Sequence, residues 1–307
     1  MGAWYTRGLR LFFREQQMKR LTAIYWVKDE TKYIPEWIEF HLMQGFEYFI
    51  LYDNQSTDGM HEILRPYIDA DILEIRSYPE VMKQRCLNRP LGAKNYWVAE
   101  TCMFEQRKKS DWLHFHAVDE FVFCPDGTDL RDFLTEFDQY GGLSTLWQVF
   151  NSNGHVKRPE GLVIENYTTK VEDPLKHVKT FLKVGRAKRT CGSLHNWEYF
   201  GNYQSVNENH TPVIDSFCPN DYSYNRIRTH HYITMSHEEF YVKMNKGVLD
   251  SAWAENRIRH QYEYQLEDWN SKTPTKDEIM LPWVFKVREA ILNRYHNNKE
   301  FLPLINH

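Results

Sequence analysis

The feature that most constrains the fold is the alternation of apolar segments with helical patterns over the first 125 residues. Apolar runs of roughly four to eight residues are typical of buried strands, and apolar residues at helical spacing indicate helices. This alternation favours βαβ units and a mostly parallel central sheet flanked by helices, an α/β fold. The predicted order is strand Leu21–Val27, a helix from Pro35, strand Tyr48–Tyr52, helix His61–Tyr67, strand Ile72–Ile75, helix Leu91–Lys108 and a strand from Trp112.

An acidic pair, Asp119-Glu120, interrupts the apolar run from Trp112 to Phe123. Carboxylates at the end of a buried strand are rigidly held at the edge where open α/β sheets bind ligands. A hard cation bound there would bridge a diphosphate. The alternative is a strand that ends in two solvated acids.

Two earlier strand ends are also polar. The first is followed by Lys28, Asp29 and Glu30, and the second by the run from Asp53 to Asp58. Three strand ends therefore present acids and amides toward one edge of the predicted sheet. Turn formation alone would explain the same residue types.

The rest of the chain is predicted to complete a single domain over residues 20–307. A donor-binding half (20–125) precedes an acceptor half (126–235) of loops and short strands, and residues 236–307 form a helical C-terminal end. Ser236 is expected to cap one helix there. The other elements are helix Leu130–Phe137, strand Ser144–Phe150 and a helix from Pro282 with Trp283, Val284, Val287 and Ile291 on one face.

Composition excludes several classes of protein. The net charge is −4 with no long basic run, so nucleic acid is not an expected partner. Five scattered cysteines indicate reduced thiols in a cytoplasmic setting, without a disulfide framework or zinc site. Aromatic residues make up 15% of the chain, which suits stacking on sugar rings or a core of large side chains.

Residues 1–19 form a basic and aromatic extension. Arginines and lysines interleave with Trp4, Phe12 and Phe13 over residues 1–20, as in a helix on an anionic membrane surface. Peripheral membrane association is one interpretation, and an upstream extension with Met18 as the natural start is the other. No apolar stretch reaches the ~18–20 residues that span a bilayer.

An ordered set of motifs resembles family-2-like and family-92-like glycosyltransferases. The resemblance spans most of residues 20–247, and its motifs are specific as a set although weak singly. They are Lys28-Asp29-Glu30, residues 33–41, 49–58, 112–113, 118–121, 147–168, His231-Tyr232 and 236–240.

The resemblance implies a GT-A-type nucleotide-diphospho-sugar transferase fold and a divalent metal, Mn²⁺ or Mg²⁺. It implies that Asp53 contacts the nucleoside and that Asp119 is the second acid of the metal-binding Asp-X-Asp motif. A histidine of the C-terminal half would complete the metal shell, with His231 the first choice and His195 the second. The remaining candidates for donor contacts are Lys28, Glu30, Asn54, Asp58, Lys94 and Asn95.

The chain departs from the family pattern at Ala117, where the first acid of the motif should stand. Either the site is impaired, or Asp119 and its partners suffice because diphosphate and water supply most ligands of such an ion.

Transfer also needs a base for the acceptor hydroxyl. The candidates are Glu160, Glu198 and Asp215, although Glu160 could equally be an exposed loop charge. His155 and Asn153 are candidates for the acceptor site, and a turn-stabilising role explains His155 equally well.

The sequence therefore predicts transfer of a sugar from a UDP-sugar, such as UDP-galactose, to a glycan hydroxyl with inversion. The alternative is a catalytically impaired protein that binds a nucleotide or glycan. A third class, other nucleotide-dependent α/β enzymes, is disfavoured because no glycine-rich loop follows the first strand.

Overall fold

A computed structural model describes residues 19–78, 81, 94–173, 176–191, 193–218, 221–246 and 266–298. The predicted extension lies outside these residues except for Lys19, which belongs to the first strand. None of the helices in these ranges is long and apolar enough to cross a membrane.

The order of elements confirms the predicted alternation, with bounds that differ by a few residues. The helices are α1 (Ile34–Met43), α2 (Met60–Asp69), α3 (Lys94–Gln106), α4 (Leu130–Phe133, continued as a 3₁₀ turn over Leu134–Phe137), α5 (Val163–Asn166), α6 (His237–Asn245) and α7 (Leu281–Arg294). The strands are β1 (Lys19–Val27), β2 (Tyr48–Asp53), β3 (Leu73–Ser77), β4 (Ser110–Phe115), β5 (Glu120–Phe123), β6 (Gly142–Phe150), β7 (Thr169–Val171), β8 (Val178–Lys183), β9 (Ala187–Thr190), β10 (Trp197–Tyr199), β11 (Ser205–Val206), β12 (Pro212–Val213), β13 (Arg228–His231) and β14 (Thr275–Lys276).

The central sheet combines a parallel half with an antiparallel extension. Strands β3, β2, β1 and β4 are neighbours in that order and all run parallel. Beyond β4, the antiparallel strand β8 connects to β6, which also pairs with β7, β11 and β13. The parallel half is what the βαβ pattern predicts, because each crossover helix returns the chain to the same end of the sheet.

The apolar run from Trp112 to Phe123 is not one interrupted strand. Strand β4 ends at Phe115, and β5 begins at Glu120 and pairs antiparallel with β13 instead. A turn separates them, closed by the Glu120 amide donating to the Ala117 carbonyl at 3.0 Å. The prediction that Asp119 ends a strand is therefore wrong, since Asp119 lies in this turn.

Glu120 holds the turn from inside the protein. Its side chain is 1% exposed, and its Oε2 accepts a 2.7 Å hydrogen bond from the Ala117 amide. The buried Lys179 ammonium on β8 lies 3.4 Å from the same oxygen. The backbone carbonyl of Glu120 accepts a hydrogen bond from the indole of Trp37 in α1 at 3.1 Å. The turn is thus tied to the sheet and to α1 at once.

Several histidines are core residues. His41, His116 and His114 are fully buried and form a chain, with 3.2 Å between His41 and His116 and 2.8 Å between His116 and His114. His41 Nδ1 donates to the Trp37 carbonyl at 2.7 Å, so its Nε2 is the acceptor. Burial lowers the pKa of His41 to about 3, which keeps that ring neutral.

The C-terminal helix packs as predicted. Val287 and Ile291 of α7 are buried, and Trp283 and Val284 pack partly buried against the same core. Arg294 pairs with Glu39 of α1 at 2.9 Å. The C-terminal part is not wholly helical, however, because β14 pairs with β7.

The buried pair of Glu120 and Lys179 gives a stability prediction. Replacing Glu120 by Gln keeps an acceptor for the turn but leaves a buried ammonium uncompensated, so we expect the free energy of unfolding to fall by about 3 kcal/mol. Adding Lys179→Met removes the unpaired buried ammonium and should recover more than half of the lost free energy of unfolding. Urea denaturation measures both, and a double variant no more stable than Glu120→Gln alone would contradict the assignment.

Candidate functional site

Residues of the β4–β5 turn line a cleft. Its walls come from β1 and the β1–α1 loop, from the β4–β5 turn and from α6 with the segment before it. The cavity measures ≈ 70 Å³, against about 300–1,000 Å³ for pockets that bury a small ligand, so a large ligand must extend beyond it. The lining residues are Tyr25, Glu30, Tyr33, Ala117, Val118, Asp119, Thr234, Met235, Glu239, Val242, Lys243 and Lys246.

Asp119 is a buried acid of the cleft, with a side chain that is 8% exposed. Its Oδ2 accepts a hydrogen bond from the Lys243 ammonium and lies 3.5 Å from Nε2 of His231. Burial by itself would raise the pKa of Asp119, but Lys243 and His231 together hold that pKa well below its usual value. Asp119 is therefore a carboxylate under all ordinary conditions.

His231 reaches Asp119 from the last residue of β13. Its backbone lies opposite Glu120 in the antiparallel pair with β5, which places the ring beside the turn. The ring packs on the indole of Trp147, with centroids 4.2 Å apart. Its Nδ1 is buried and has no hydrogen-bond partner among the described residues.

His195, the second choice for a metal ligand, packs on another side of Trp147, with centroids 5.0 Å apart. Its Nδ1 lies 2.7 Å from the Val178 carbonyl, which anchors the ring to β8. Burial lowers the pKa of His195 to about 3. The structure thus brings His231, rather than His195, within contact of Asp119.

Glu30 is the second carboxyl group of interest. It follows β1, and its Oε1 lies 3.2 Å from the ammonium of Lys246, which also donates to the Asp29 carbonyl at 2.6 Å. Burial raises the pKa of Glu30 to about 7, against the opposing effect of Lys246. Near neutral pH this carboxyl group can both accept and release a proton.

Glu239 also lines the cleft, and both of its carboxylate oxygens accept hydrogen bonds. It accepts from the hydroxyls of Tyr33 and Tyr167 and from the amide of Ser236. Ser236 in turn accepts from the Glu239 amide at 3.2 Å, so the predicted helix cap is confirmed as a capping box. This cap fixes the start of α6 against the cleft.

The acids after β2 hold two loops together. Asp53 accepts from the Ser56 amide at 3.0 Å and lies 3.1 Å from Nε2 of His61. Asp58 accepts from the Thr31 amide at 2.8 Å, which ties this loop to the one after β1. The Asn54 amide donates to the Val27 carbonyl at 2.9 Å. These predicted donor contacts lie at the expected sheet edge, although they do not line the cleft.

The other predicted donor contacts are Lys28, Lys94, Asn95 and the position of Ala117. Lys28 is half-buried just after β1. Lys94 and Asn95 begin α3, and their side chains lie outside the described part of the structure. Ala117 lines the cleft two residues before Asp119, where an acid would face the same space.

None of the three proposed bases lines the cleft. Glu160 and Asp215 are exposed, and Glu198 of β10 pairs with Arg189 at 2.7 Å. Asn153 donates to the Asn166 carbonyl at 3.0 Å, and the His155 ring packs on Tyr167 with centroids 5.6 Å apart. The assignments of these residues as base or acceptor contacts stay predictions.

Sequence reasoning missed the lysines that enter the cleft. Lys243 belongs to α6 and Lys246 follows that helix, far along the chain from the acids that they contact. Glu239, Lys243 and Lys246 are spaced four and three residues apart, which places them on one face of the helix. That spacing is the only signal in the sequence, and a solvated helix face would show it equally.

Two side chains of the cleft carry atoms of the kind that bind a divalent cation. No group of three or more histidine, cysteine, aspartate or glutamate side chains is arranged to hold a metal among the described residues. Asp119 Oδ2 and His231 Nε2, 3.5 Å apart, supply one oxygen and one nitrogen ligand. To hold Mg²⁺ or Mn²⁺, this pair would need phosphate oxygens and water to complete the shell, and Lys243 would have to move away.

Comparisons with known proteins show which family this chain belongs to. Glycosyltransferase family 92 matches residues 21–268. A family 92 protein of Oryza sativa subsp. japonica is 26% identical over 156 residues, 49% of this chain and 25% of that protein. Galactan beta-1,4-galactosyltransferase GALS1 of Arabidopsis thaliana is 21% identical over 163 residues, 45% of this chain and 32% of that protein.

The matched regions span about a quarter to a third of these relatives. Among solved structures, an active-site mutant of LgtC is 12% identical, with 82% of this chain and 100% of that chain covered, and its TM-score of 0.31 is too low to carry weight. The family match covers most of the chain and includes the cleft residues from Glu30 to Lys246. The chain therefore belongs to glycosyltransferase family 92.

Proposed function

We propose that this chain transfers a sugar from a nucleotide diphosphate to a glycan hydroxyl on a GT-A-type fold. The observation that carries the proposal is the meeting of Glu30, Ala117 and Asp119 in one cleft beside His231. Glu30 and Asp119 belong to separate motifs of the family resemblance, Ala117 stands where the first acid of the metal-binding motif is expected, and the carboxyl ends of β1 and β4 bring all three together. That edge is where open α/β sheets bind nucleotides.

The donor that we propose is UDP-galactose, and the acceptor is a galactan-like glycan. Two relatives from Arabidopsis thaliana, GALS1 and GALS2, carry the name galactan beta-1,4-galactosyltransferase. Inversion at the anomeric carbon, by direct displacement, would turn the α-linked sugar of such a donor into a β-linked product.

Asp119 and His231 would hold the metal ion, Mn²⁺ or Mg²⁺. When bound, such an ion neutralises the charge that develops on a departing diphosphate. Asp119 suits this role because it is buried and its pKa is held low, so it stays ionised. Glu30 and Lys246 line the same cleft, and the raised pKa of Glu30 lets its carboxyl group gain or lose a proton near neutral pH.

Glu30 is our proposal for the base that takes the acceptor proton. It lines the cleft, and its raised pKa near 7 matches what a base needs at neutral pH. Glu239 lines the cleft too, but its oxygens accept from Tyr33, Tyr167 and Ser236. Glu160, Glu198 and Asp215 would need a rearrangement to approach the same space.

The donor site is tested by titrating the protein with UDP in the presence and absence of Mn²⁺. We expect metal-dependent binding, a loss of at least tenfold in affinity for Asp119→Asn, and a gain for Ala117→Asp because a second carboxylate joins the metal shell. Isothermal titration calorimetry provides the measurement. Failure of all three forms to bind any nucleotide would leave the alternative, a glycan-binding protein without turnover.

The proposed role of Glu30 as the base is tested by measuring kcat and nucleotide affinity separately. For Glu30→Gln we expect kcat to fall by about 10²–10⁴-fold with the UDP dissociation constant unchanged, because the base acts only on the acceptor. In the unsubstituted protein kcat should rise with pH through about 7, as Glu30 loses its proton. A variant with normal kcat and weakened UDP binding would instead make Glu30 a donor contact.

A further inference from the structure

The carboxylate oxygen that a metal needs is already occupied by a cation of the protein. Oδ2 of Asp119 accepts from the Lys243 ammonium and is also the oxygen nearest to His231, at 3.5 Å. A divalent ion held between this oxygen and Nε2 of His231 would lie close to the Lys243 ammonium, and the two cations would repel each other strongly. Metal binding therefore requires Lys243 to leave.

The two members of this ion pair differ in how easily they move. The Asp119 side chain is 8% exposed and sits in a turn fixed by Glu120, whereas the Lys243 side chain is 51% exposed. The Lys243 ammonium also lies 3.4 Å from the Ile233 carbonyl, but its stem is flexible and half-exposed, so its charge stays solvated when it leaves Asp119. Lys243 is thus the mobile partner.

The cleft offers Lys243 a new partner once a diphosphate arrives. Lys243 and Lys246 lie on the same face of the helix and both line the cleft, so their ammonium groups border the space beside Asp119. Phosphate oxygens attract such ammonium groups strongly. The donor would thereby hold the lysine that the metal displaces.

We propose that Lys243 is a displaceable placeholder for the metal, which makes metal and diphosphate bind cooperatively. This inference rests on the proposed donor site and adds that nucleotide and metal assist each other's binding there. Without nucleotide, Lys243 competes with the metal for Asp119. With nucleotide, Lys243 pairs with the diphosphate, and the competition ends. By linkage, each ligand then raises the affinity of the other by the same factor.

The test compares Lys243→Met with Lys246→Met. Both variants remove one positive charge from the same cleft, but only Lys243 contacts Asp119. Mn²⁺ affinity is measured by calorimetry, first with Mn²⁺ alone and then with saturating UDP. Thermal unfolding of each variant verifies that the fold is retained.

We expect Lys243→Met to bind Mn²⁺ alone about three- to tenfold more tightly than the unsubstituted protein, as removal of a partly exposed competing ion pair implies. UDP should then strengthen Mn²⁺ binding less than it does in the unsubstituted protein. Lys246→Met should show a smaller gain for Mn²⁺ alone, due only to the lost charge, and should keep the effect of UDP on the metal.

Different failures have different meanings. If Mn²⁺ and UDP bind all three forms with the same affinities and the same coupling, the placeholder role is overturned and the donor site stands. Equal gains in Mn²⁺ affinity for both lysine variants would likewise overturn it, because general charge would then explain the effect. If no form binds Mn²⁺ or UDP, the proposed function falls and this inference falls with it.

Discussion

The cleft depends on one buried carboxylate, that of Glu120. Glu120 closes the β4–β5 turn through the Ala117 amide, pairs with Lys179 of β8 and accepts the Trp37 indole through its carbonyl. These contacts join the turn to the sheet and to α1, so the neighbouring Asp119 has a fixed position. Buried ion pairs add little net stability, but removal of one partner is costly, and such pairs serve to fix geometry.

The second wall of the cleft depends on a helix cap. The capping box of Ser236 and Glu239 starts α6, and the hydroxyls of Tyr33 and Tyr167 bind the same glutamate. Since the helix begins at a fixed place, Lys243 lies over Asp119 and Lys246 lies over Glu30 one turn later. The cleft therefore combines the carboxyl groups of Asp119 and Glu30, which follow strands of the sheet, with the ammonium groups of Lys243 and Lys246, as the proposed ligand of metal and phosphate would require.

Much of the fold could be predicted because apolar periodicity reports burial directly. The βαβ order, the parallel strands of the first half, the cap at Ser236 and the buried face of α7 all follow from such patterns. The single run from Trp112 to Phe123 could not be divided correctly, since both strands are buried on both faces and the turn between them is itself buried. The apolar pattern of the run gives no sign of the break between the strands, which follows from the pairing of β5 with β13.

The sequence by itself predicted a family-2-like or family-92-like glycosyltransferase, a mostly parallel sheet and acids near one edge of it, because those depend on local patterns and ordered motifs. Only the tertiary structure decided which residues oppose those acids. It brought His231 to Asp119 and held His195 on the Val178 carbonyl, left Glu160, Glu198 and Asp215 outside the cleft, and brought Lys243 to Asp119 across 124 residues. Contacts between distant segments depend on how the sheet pairs β13 with β5 and how α6 packs across it, and no local pattern encodes that geometry.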